Sequence, residues 1–339
     1  MTARLLTVIY PIEHKRPTEQ KGLRSNVCGF MSVLISAVLP IALVALVGVW
    51  VGRAFDFDIK SLARLNIYAL LPALVLTGIY DSTLALSSAA GIVLGFILNC
   101  AVLYGLSYSL GKAFKLPPER RKSLVATTLL ANSGNIGLPF MLFALGEGGL
   151  ERGLIYLVAS AIFIASVGPV ILKGEGIGVG MGVTLRLPVF WATLAGVVIQ
   201  GIAWRGGTWQ VPVEIDRALD LLGGAAIPIA LLTLGIQLSR TRLNFGLYEF
   251  SAAALRLFVS PLTAYVIGRS LGLQGLDLSV LVMQSAMPVA VNTLIWVTEL
   301  GGDTVRVART IVLSTIMSLV TLPLALSLVQ SVVAVEVGR

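Results

Sequence analysis

Charged residues are scarce in this chain of 339 residues, since Asp, Glu, Lys and Arg together make up 12% of it. A soluble globular domain carries about a quarter of such residues, so a soluble domain of this length is excluded. Hydrophobic residues amount to 56%, and the mean hydropathy is +0.91. They form repeated apolar runs of about 18 residues or more, which suffice for a helix to cross a bilayer. The composition therefore predicts an all-α membrane protein with several spans.

Histidine and cysteine are almost absent, with one histidine and two cysteines. His14 lies in the hydrophilic N-terminal segment, and Cys28 and Cys100 are far apart in the sequence. These residues exclude a disulfide framework, an intramembrane metal cluster and a histidine-based active site. We therefore expect no metal, no cofactor and no enzymatic activity.

Acidic residues are rare within the apolar runs, and no run carries a central pair of carboxylates. A cation–proton antiporter that loads its ion on aspartates is therefore disfavoured, and no carboxylate-rich sodium cage is apparent. Asp81 ends the second run and is the one acid beside a helix that could contribute to a binding site. If transport is coupled to protons, Asp81 is the candidate residue.

The apolar runs divide the chain into ten predicted spans in two halves. The spans are 33–53, 61–80, 86–110, 122–145, 150–172, 184–204, 216–238, 248–271, 276–298 and 306–330. Five segments follow: a polar extension (1–30), a first five-helix repeat (31–172), a glycine-rich flexible joint (173–183), a second repeat (184–330) and a tail (331–339).

Lysine and arginine are concentrated in the loops after the odd-numbered spans, the largest cluster lying between residues 112 and 122. By the positive-inside rule these loops are cytoplasmic, so both termini are expected outside the cytoplasm, in a multi-pass protein of the cell inner membrane. The basic N-terminal extension contradicts this orientation, and the contradiction disappears if Met31 is the native start. The net charge of +8 thus reflects topology, and nucleic acid is not an expected partner.

Prolines reveal an internal repeat. Four ordered pairs recur 148 to 156 residues apart: Pro40 and Pro188, Pro72 and Pro228, Pro139 and Pro288, Pro169 and Pro323. Because each half has an odd number of spans, the second half must enter the membrane upside down relative to the first. Inverted repeats of this kind build secondary transporters, which place their site at the repeat interface near mid-membrane.

Predicted spans 4 and 9 both contain a stretch that forms poor helix. Residues 132–139 read NSGNIGLP and residues 284–292 read QSAMPVAVN. In lipid, irregular backbone survives only where it lines a protein-enclosed cavity, although Gly and Pro are also common in ordinary membrane helices. Broken helices expose N-termini that attract an anion, and neutral amides can donate hydrogen bonds to it. The predicted binding residues are Asn132, Ser133, Asn135, Gln284 and Asn292.

At these stretches the sequence resembles the auxin efflux carrier family of membrane transporters. The most similar segments are ANSGNIGLPF, MPVAVNTL and LSTIMSLVTLPL, and the resemblance covers nearly all of residues 31–330. It implies two inverted five-helix repeats in which spans 4 and 9 are broken and cross at their prolines. The crossover residues would then be Gly134, Gly137, Pro139 and Pro288, with the family's span-4 asparagine at Asn132.

The resemblance also implies a substrate class, namely small organic anions such as auxin, malate or malonate. The short joint between the halves is typical of a bacterial member. A sodium-coupled symporter of larger amphipathic acids is the alternative, and sodium dependence of uptake separates the two. The expected partners are the anion and the lipid bilayer, and the sequence leaves open whether the chain is a homodimer.

Several other polar residues have two interpretations at this stage. Asn135 could cap the broken helix rather than bind a ligand. For Thr77, Thr233 and Thr293, a hydroxyl bonded back to its own helix is the favoured interpretation. Arg256 is the one basic residue well inside a span, and we favour snorkelling to the cytoplasmic interface over a functional role.

Overall fold

The computed structural model describes residues 34–173, 177–204, 211–239 and 245–337, and the regular elements of these residues are helices. In chain order they are α1 (Leu39–Ala54), α2 (Ile59–Tyr80), α3 (Leu86–Ala113), α4 (Pro118–Leu129), α5 (Leu138–Lys173), α6 (Ile177–Thr184), α7 (Pro188–Trp204), α8 (Val213–Ser239), α9 (Leu247–Ser270), α10 (Gly275–Ser285), α11 (Thr293–Leu300) and α12 (Thr304–Val337).

Seven helices of the described residues are long and apolar enough to cross a membrane. They are Ile35–Ala54, Ile59–Tyr80, Leu86–Ala113, Ser133–Val170, Val213–Ser239, Leu247–Ser270 and Thr304–Ser331. Helices α6 and α7 together form a candidate eighth span, bent by 70°. The chain is therefore a multi-pass membrane protein. The shorter helices α4, α10 and α11 are the pieces around the two poor-helix stretches.

Four wide π-helical turns interrupt this architecture, at Leu34–Val38, Asn66–Leu70, Ser133–Gly137 and Leu255–Val259. Such turns insert an extra residue into the helical ladder and often occur at functional positions. The turn in α2 contains Asn66, the one before α5 contains Ser133, and the one in α9 contains Arg256. These three residues recur in the site below.

The helices pack in two groups. Helices α1, α2, α7 and α8 contact mainly one another, whereas α3, α4, α5 and α9 to α12 form the second group. Within the first group α1 and α8 touch backbone to backbone: a Cβ on Gly48 would lie 2.4 Å from the carbonyl oxygen of Leu232, and one on Gly235 would lie 2.0 Å from that of Ala45. Small residues permit such close approach, as is common between membrane helices.

The outer surface carries large apolar side chains, as expected of helices that face lipid. Leu86, Leu221 and Trp50 are 80%, 79% and 67% exposed. An apolar surface of this extent marks contact with a membrane. One buried cluster lies between the two groups of helices, where Phe140, Met141, Met283 and Met287 are fully buried, and others lie inside the second group.

Part of the glycine-rich stretch between the two halves is helical. Residues 177–184 form α6, and residues 174–176 lie outside the described residues. A Cβ on Gly180 would lie 1.9 Å from the carbonyl oxygen of Ser166, and the hydroxyls of Ser166 and Thr184 are 2.8 Å apart. Close packing against α5 thus outweighs the low helix propensity of glycine.

Two glycines with left-handed backbone turn the chain after the broken stretches. Gly146, which lies within α5, has a φ of 71°, and Gly301, which directly follows α11, has a φ of 75°. Other residues rarely adopt this conformation. Each glycine therefore ends a short half-helix and reverses the chain into the next long helix.

Candidate functional site

Two extended segments of the chain cross at the centre of the second helix group. Helix α4 ends at Leu129 and the helical backbone resumes at Ser133, while α10 ends at Ser285 and α11 starts at Thr293. Between these ends Ala131 and Val289 form an antiparallel bridge. The N–H of Asn132 donates to the carbonyl of Pro288 at 2.8 Å, and the N–H of Ala290 donates to that of Leu130 at 2.8 Å.

The two prolines have different positions relative to this crossing, which corrects the expectation that both lie at it. Pro288 is part of it, since its carbonyl accepts from Asn132. Pro139 lies instead six residues after Ser133, where the π-turn passes into α5, and its ring removes one N–H from the helical ladder. The break before α5 is therefore made by residues 130–132 rather than by the proline.

A cavity of about 240 Å³ lies beside the crossing, between the two helix groups. Asn132, Ser133, Gly134, Asn135 and Asn292 all line it. Its opposite wall comes from the first helix group, through Asn66, Ile67 and Leu71 of α2 and Pro188 and Val189 of α7. Four of the five predicted binding residues thus lie in one cavity, although their separation in the sequence is large.

Asn132 caps the broken helix and keeps a free donor. Its Oδ1 accepts from the N–H of Asn135 at 3.3 Å, so Asn132, not Asn135, is the cap. Asn132 is 4% exposed, and its Nδ2 has no hydrogen-bond partner among the described residues. A buried amide hydrogen without a partner is costly unless a ligand or water accepts it. The N–H groups of Ser133 and Gly134 likewise donate to none of the described residues.

Asn66 and Thr293 complete the polar lining. Asn66 is not among the predicted binding residues, and the sequence favours a different interpretation of Thr293. The Oδ1 of Asn66 and the hydroxyl of Thr293 are buried and have no partner in the described part of the chain. The favoured interpretation of Thr293, a hydroxyl bonded back to its own helix, is therefore wrong. It is right for Thr77, which bonds to the carbonyls of Ala73 and Leu74, and for Thr233, which bonds to that of Ile229. The sequence signal for Asn66 is Pro72, which lies six residues after it in α2, as Pro139 lies six residues after Ser133.

Gln284 does not line the cavity. It is fully buried next to the π-turn, where a Cβ on Gly137 would lie 2.3 Å from its Oε1 and one on Gly153 would lie 3.2 Å from its Nε2. Neither atom has a hydrogen-bond partner in the described ranges. Gln284 therefore packs one broken helix against the other. By contrast, a Cβ on Gly134 would meet only Leu157, at 3.5 Å.

Arg256 lies inside the protein at the crossing, so the snorkelling interpretation is wrong. Its side chain is 1% exposed. The guanidinium donates to the carbonyls of Thr128 and Met287 at 2.7 and 3.0 Å, and to that of Ser285. It therefore contacts the ends of both broken helices.

Asp81 lies away from the crossing, directly after α2. Burial raises the pKa of its carboxyl above the ordinary value, and repulsion from Asp216 and Asp220 at the start of α8 adds to this. Asp277, at the start of α10, pairs with Arg152 at 2.5 Å.

Three relatives align with nearly their whole length. An uncharacterized transporter of Methanothermobacter thermautotrophicus is 29% identical over 300 residues, covering 87% of this chain and 95% of the relative. An uncharacterized transporter of Methanocaldococcus jannaschii is 27% identical and covers 86% and 97%. A Rhizobium meliloti protein with the printed name "Putative malonate transporter" is 24% identical and covers 89% and 97%.

The family model described as "Membrane transport protein" matches the chain twice, at residues 33–181 and 179–326. The two matches divide the chain near residue 180, inside α6, and each match contains one of the two broken stretches. Together they account for both the repeated prolines and the paired half-helices. This chain therefore belongs to the membrane transport protein family, the auxin efflux carriers, and carries two copies of its repeat.

Proposed function

We propose that the chain is a secondary carrier that moves small organic anions, dicarboxylates such as malonate or malate, across the membrane. One observation carries the proposal: the start of the helix after Asn132 and the start of α11 meet in one cavity, where the Nδ2 of Asn132 is buried without a partner among the described residues. The N-terminus of a helix is an anion site, because its N–H groups and dipole point at the ligand.

The chemistry of the lining supports a neutral site that binds reversibly. Asn66, Asn132, Asn135 and Asn292 offer amides without fixed charge, and Thr293 offers a hydroxyl. Hydrogen bonds to a charged group contribute about 1.5–3 kcal/mol each, so two or three suffice for a micromolar to millimolar complex. A carrier needs such an affinity, because the anion must leave as well as enter.

The size of the cavity favours a small substrate. Its volume of about 240 Å³ is below the range of roughly 300–1,000 Å³ found for drug-sized ligands. This supports short carboxylates over the larger amphipathic acids of the alternative symporter. The name of the Rhizobium meliloti relative supports malonate as the first ligand to test.

For the topology we propose ten spans in two inverted repeats. Helix α4 with the start of α5, up to Gly146, would form the fourth span, and α10 with α11 would form the ninth. The domain limits are those expected from the sequence, with the second repeat in residues 184–330. The basic loop between α3 and α4 would face the cytoplasm, with both termini on the outer side of the cell inner membrane.

For the mechanism we propose alternating access between the two helix groups. The cavity lies between them, with Asn66 on one side and the crossing on the other. Each group contains helices from both repeats, so the moving units differ from the repeats themselves. Sliding of one group against the other would expose the cavity to each side of the membrane in turn.

Uptake of radiolabelled malonate into proteoliposomes tests the proposal. Asn132→Ala should abolish uptake, and Asn66→Ala, which removes the amide Nδ2 donor from the opposite wall, should weaken the apparent affinity by about tenfold, as expected for one lost hydrogen bond to a charged ligand. Repeating the assay without sodium separates an anion carrier from a sodium symporter.

Asn99→Ala is the matched control. Asn99 is a buried amide outside the cavity, bonded to Ser285 and Thr263. The variant should lose stability and keep uptake per folded molecule. Uptake that survives Asn132→Ala, or that is lost equally in Asn99→Ala, would contradict the proposed site.

A further inference from the structure

The broken helices leave main-chain carbonyls without helical partners at the ends of α4 and α10. A helix ends with up to four such carbonyls, and it carries about half a negative charge there. Two such ends meet at the crossing, so roughly one negative charge would lie in the middle of the protein. Left unbalanced, it would repel an anion in the adjacent cavity.

Arg256 lies at both helix ends. From α4 it contacts the carbonyls of Thr128, at 2.7 Å, and Leu129, at 3.4 Å. From the other helix it contacts the carbonyls of Met287, at 3.0 Å, and Ser285, which also accepts from Ser260 at 2.9 Å. Arg256 itself belongs to the π-turn in α9.

Among the residues that the structure describes, the positive charge of Arg256 does not neutralise an acidic side chain. The ion pairs found among the described residues do not involve Arg256. The nearby acid Glu249, also buried, pairs with Arg306 at 3.0 Å instead. The charge of the guanidinium thus balances the two helix ends, about one charge against two halves.

From this geometry we infer that Arg256 is the positioning residue that makes the cavity selective for anions, although it does not line the cavity. It cancels the two negative helix ends, so the two positive N-termini, before α5 and at α11, act alone on the cavity. Their sum, about one positive charge, favours a ligand of negative charge over a neutral one of the same shape. This inference rests on the proposed anion site and assigns the source of its charge preference.

The expected size follows from the spacing along the chain. Thr128 is two residues before Leu130, which lines the cavity, and consecutive Cα atoms lie about 3.8 Å apart. A unit charge at about 10 Å, in an effective dielectric of about 20, changes the affinity for a monovalent ion on the order of tenfold. The affinity for a neutral ligand is not changed by this charge.

The experiment compares binding of malonate with binding of malonamide, its neutral diamide, to the purified full chain by calorimetry. We expect the wild type to prefer malonate, and Arg256→Gln to reduce the ratio of the two affinities by about tenfold or more. Arg256→Lys keeps the charge with fewer donors, so it should lower thermal stability and keep the ratio near the wild-type value. Arg53→Gln removes an exposed arginine and should leave the ratio unchanged.

The outcomes separate this inference from the proposed function. If Arg256→Gln weakens both ligands equally, or if the wild type binds both equally, Arg256 has only a structural role and the inference is overturned. If Arg256→Gln does not fold, a ratio that falls in Arg256→Lys overturns it as well. Absence of binding of any carboxylate by the wild type would overturn the proposed function itself.

Discussion

The contact between Gly137 and Gln284 provides a sharp test of how the two broken helices pack. Gly137 lies in the π-turn before α5, and Gln284 lies near the end of α10. A Cβ added at Gly137 would lie 2.3 Å from Oε1 and 3.1 Å from Cδ of Gln284. Since Gln284 is fully buried, its amide cannot move into solvent to make room.

The effect of Gly137→Ala on stability should differ in sign between the wild type and the Gln284→Ala background. Overpacking a buried site costs about 1–3 kcal/mol, so Gly137→Ala should destabilise the wild type. In the background of Gln284→Ala the obstructing amide is absent, and the same substitution should be neutral or stabilising by up to about 1 kcal/mol, the helix preference of Ala over Gly. The coupling between the two substitutions is then about 1–4 kcal/mol, which is far outside additivity.

Thermal unfolding of the four proteins in detergent measures this coupling. At about 2 °C per kcal/mol, Gly137→Ala should lower the apparent Tm of the wild type by about 2–6 °C and leave that of Gln284→Ala unchanged or higher. Gly134→Ala, in the same π-turn with its nearest neighbour at 3.5 Å, is the control and should be tolerated. If Gly137→Ala has the same effect in both backgrounds, the packing described for the crossing is wrong.

Two further predictions concern stability away from the cavity. Gly235→Ala should prevent close packing of α1 on α8 and lower the apparent Tm by more than Gly137→Ala does. The added Cβ would lie 2.0 Å from the carbonyl oxygen of Ala45, and a main-chain atom cannot rotate away as a side chain can. An unchanged Tm would contradict the contact. Asp81→Asn should raise the apparent Tm at pH 7, because burial, Asp216 and Asp220 raise the pKa of Asp81 and so disfavour its charged form in the folded state. The gain should shrink as the pH falls through the raised pKa and vanish below the ordinary value of 3.8, where the carboxyl is neutral in both states. A gain that grows on acidification would refute this cause.

The sequence predicts the helices and the existence of the two breaks, because both have local causes. Long apolar runs determine where helices cross, and amides, glycines and prolines within such runs predict interruption. For that reason the amino-acid sequence alone suffices to select Asn132, Ser133, Asn135 and Asn292 as cavity residues. Their convergence follows from the repeat, which places the two interrupted stretches at equivalent positions of the two halves.

The residues that could not be predicted depend on partners without a sequence signal. Arg256 bonds to main-chain carbonyls of two other helices, and a main-chain atom is the same in every sequence. Asn66 begins the π-turn of α2, and only the packing of α2 beside the crossing brings it to the cavity. Pro139 lies away from the crossing because a proline acts on the helical turn that precedes it, and here that turn is the π-turn Ser133–Gly137 rather than the extended segment.

The antiparallel bridge between Ala131 and Val289 also has a consequence for how the protein is made. During synthesis the carbonyl of Leu130 and the N–H of Asn132 enter the membrane well before their partners Ala290 and Pro288 have left the ribosome. Until then the first half holds polar main-chain groups that lipid cannot satisfy. The crossing therefore forms only after residues 288–290 have been synthesised, so the fold of the first half is completed by hydrogen bonds from the second.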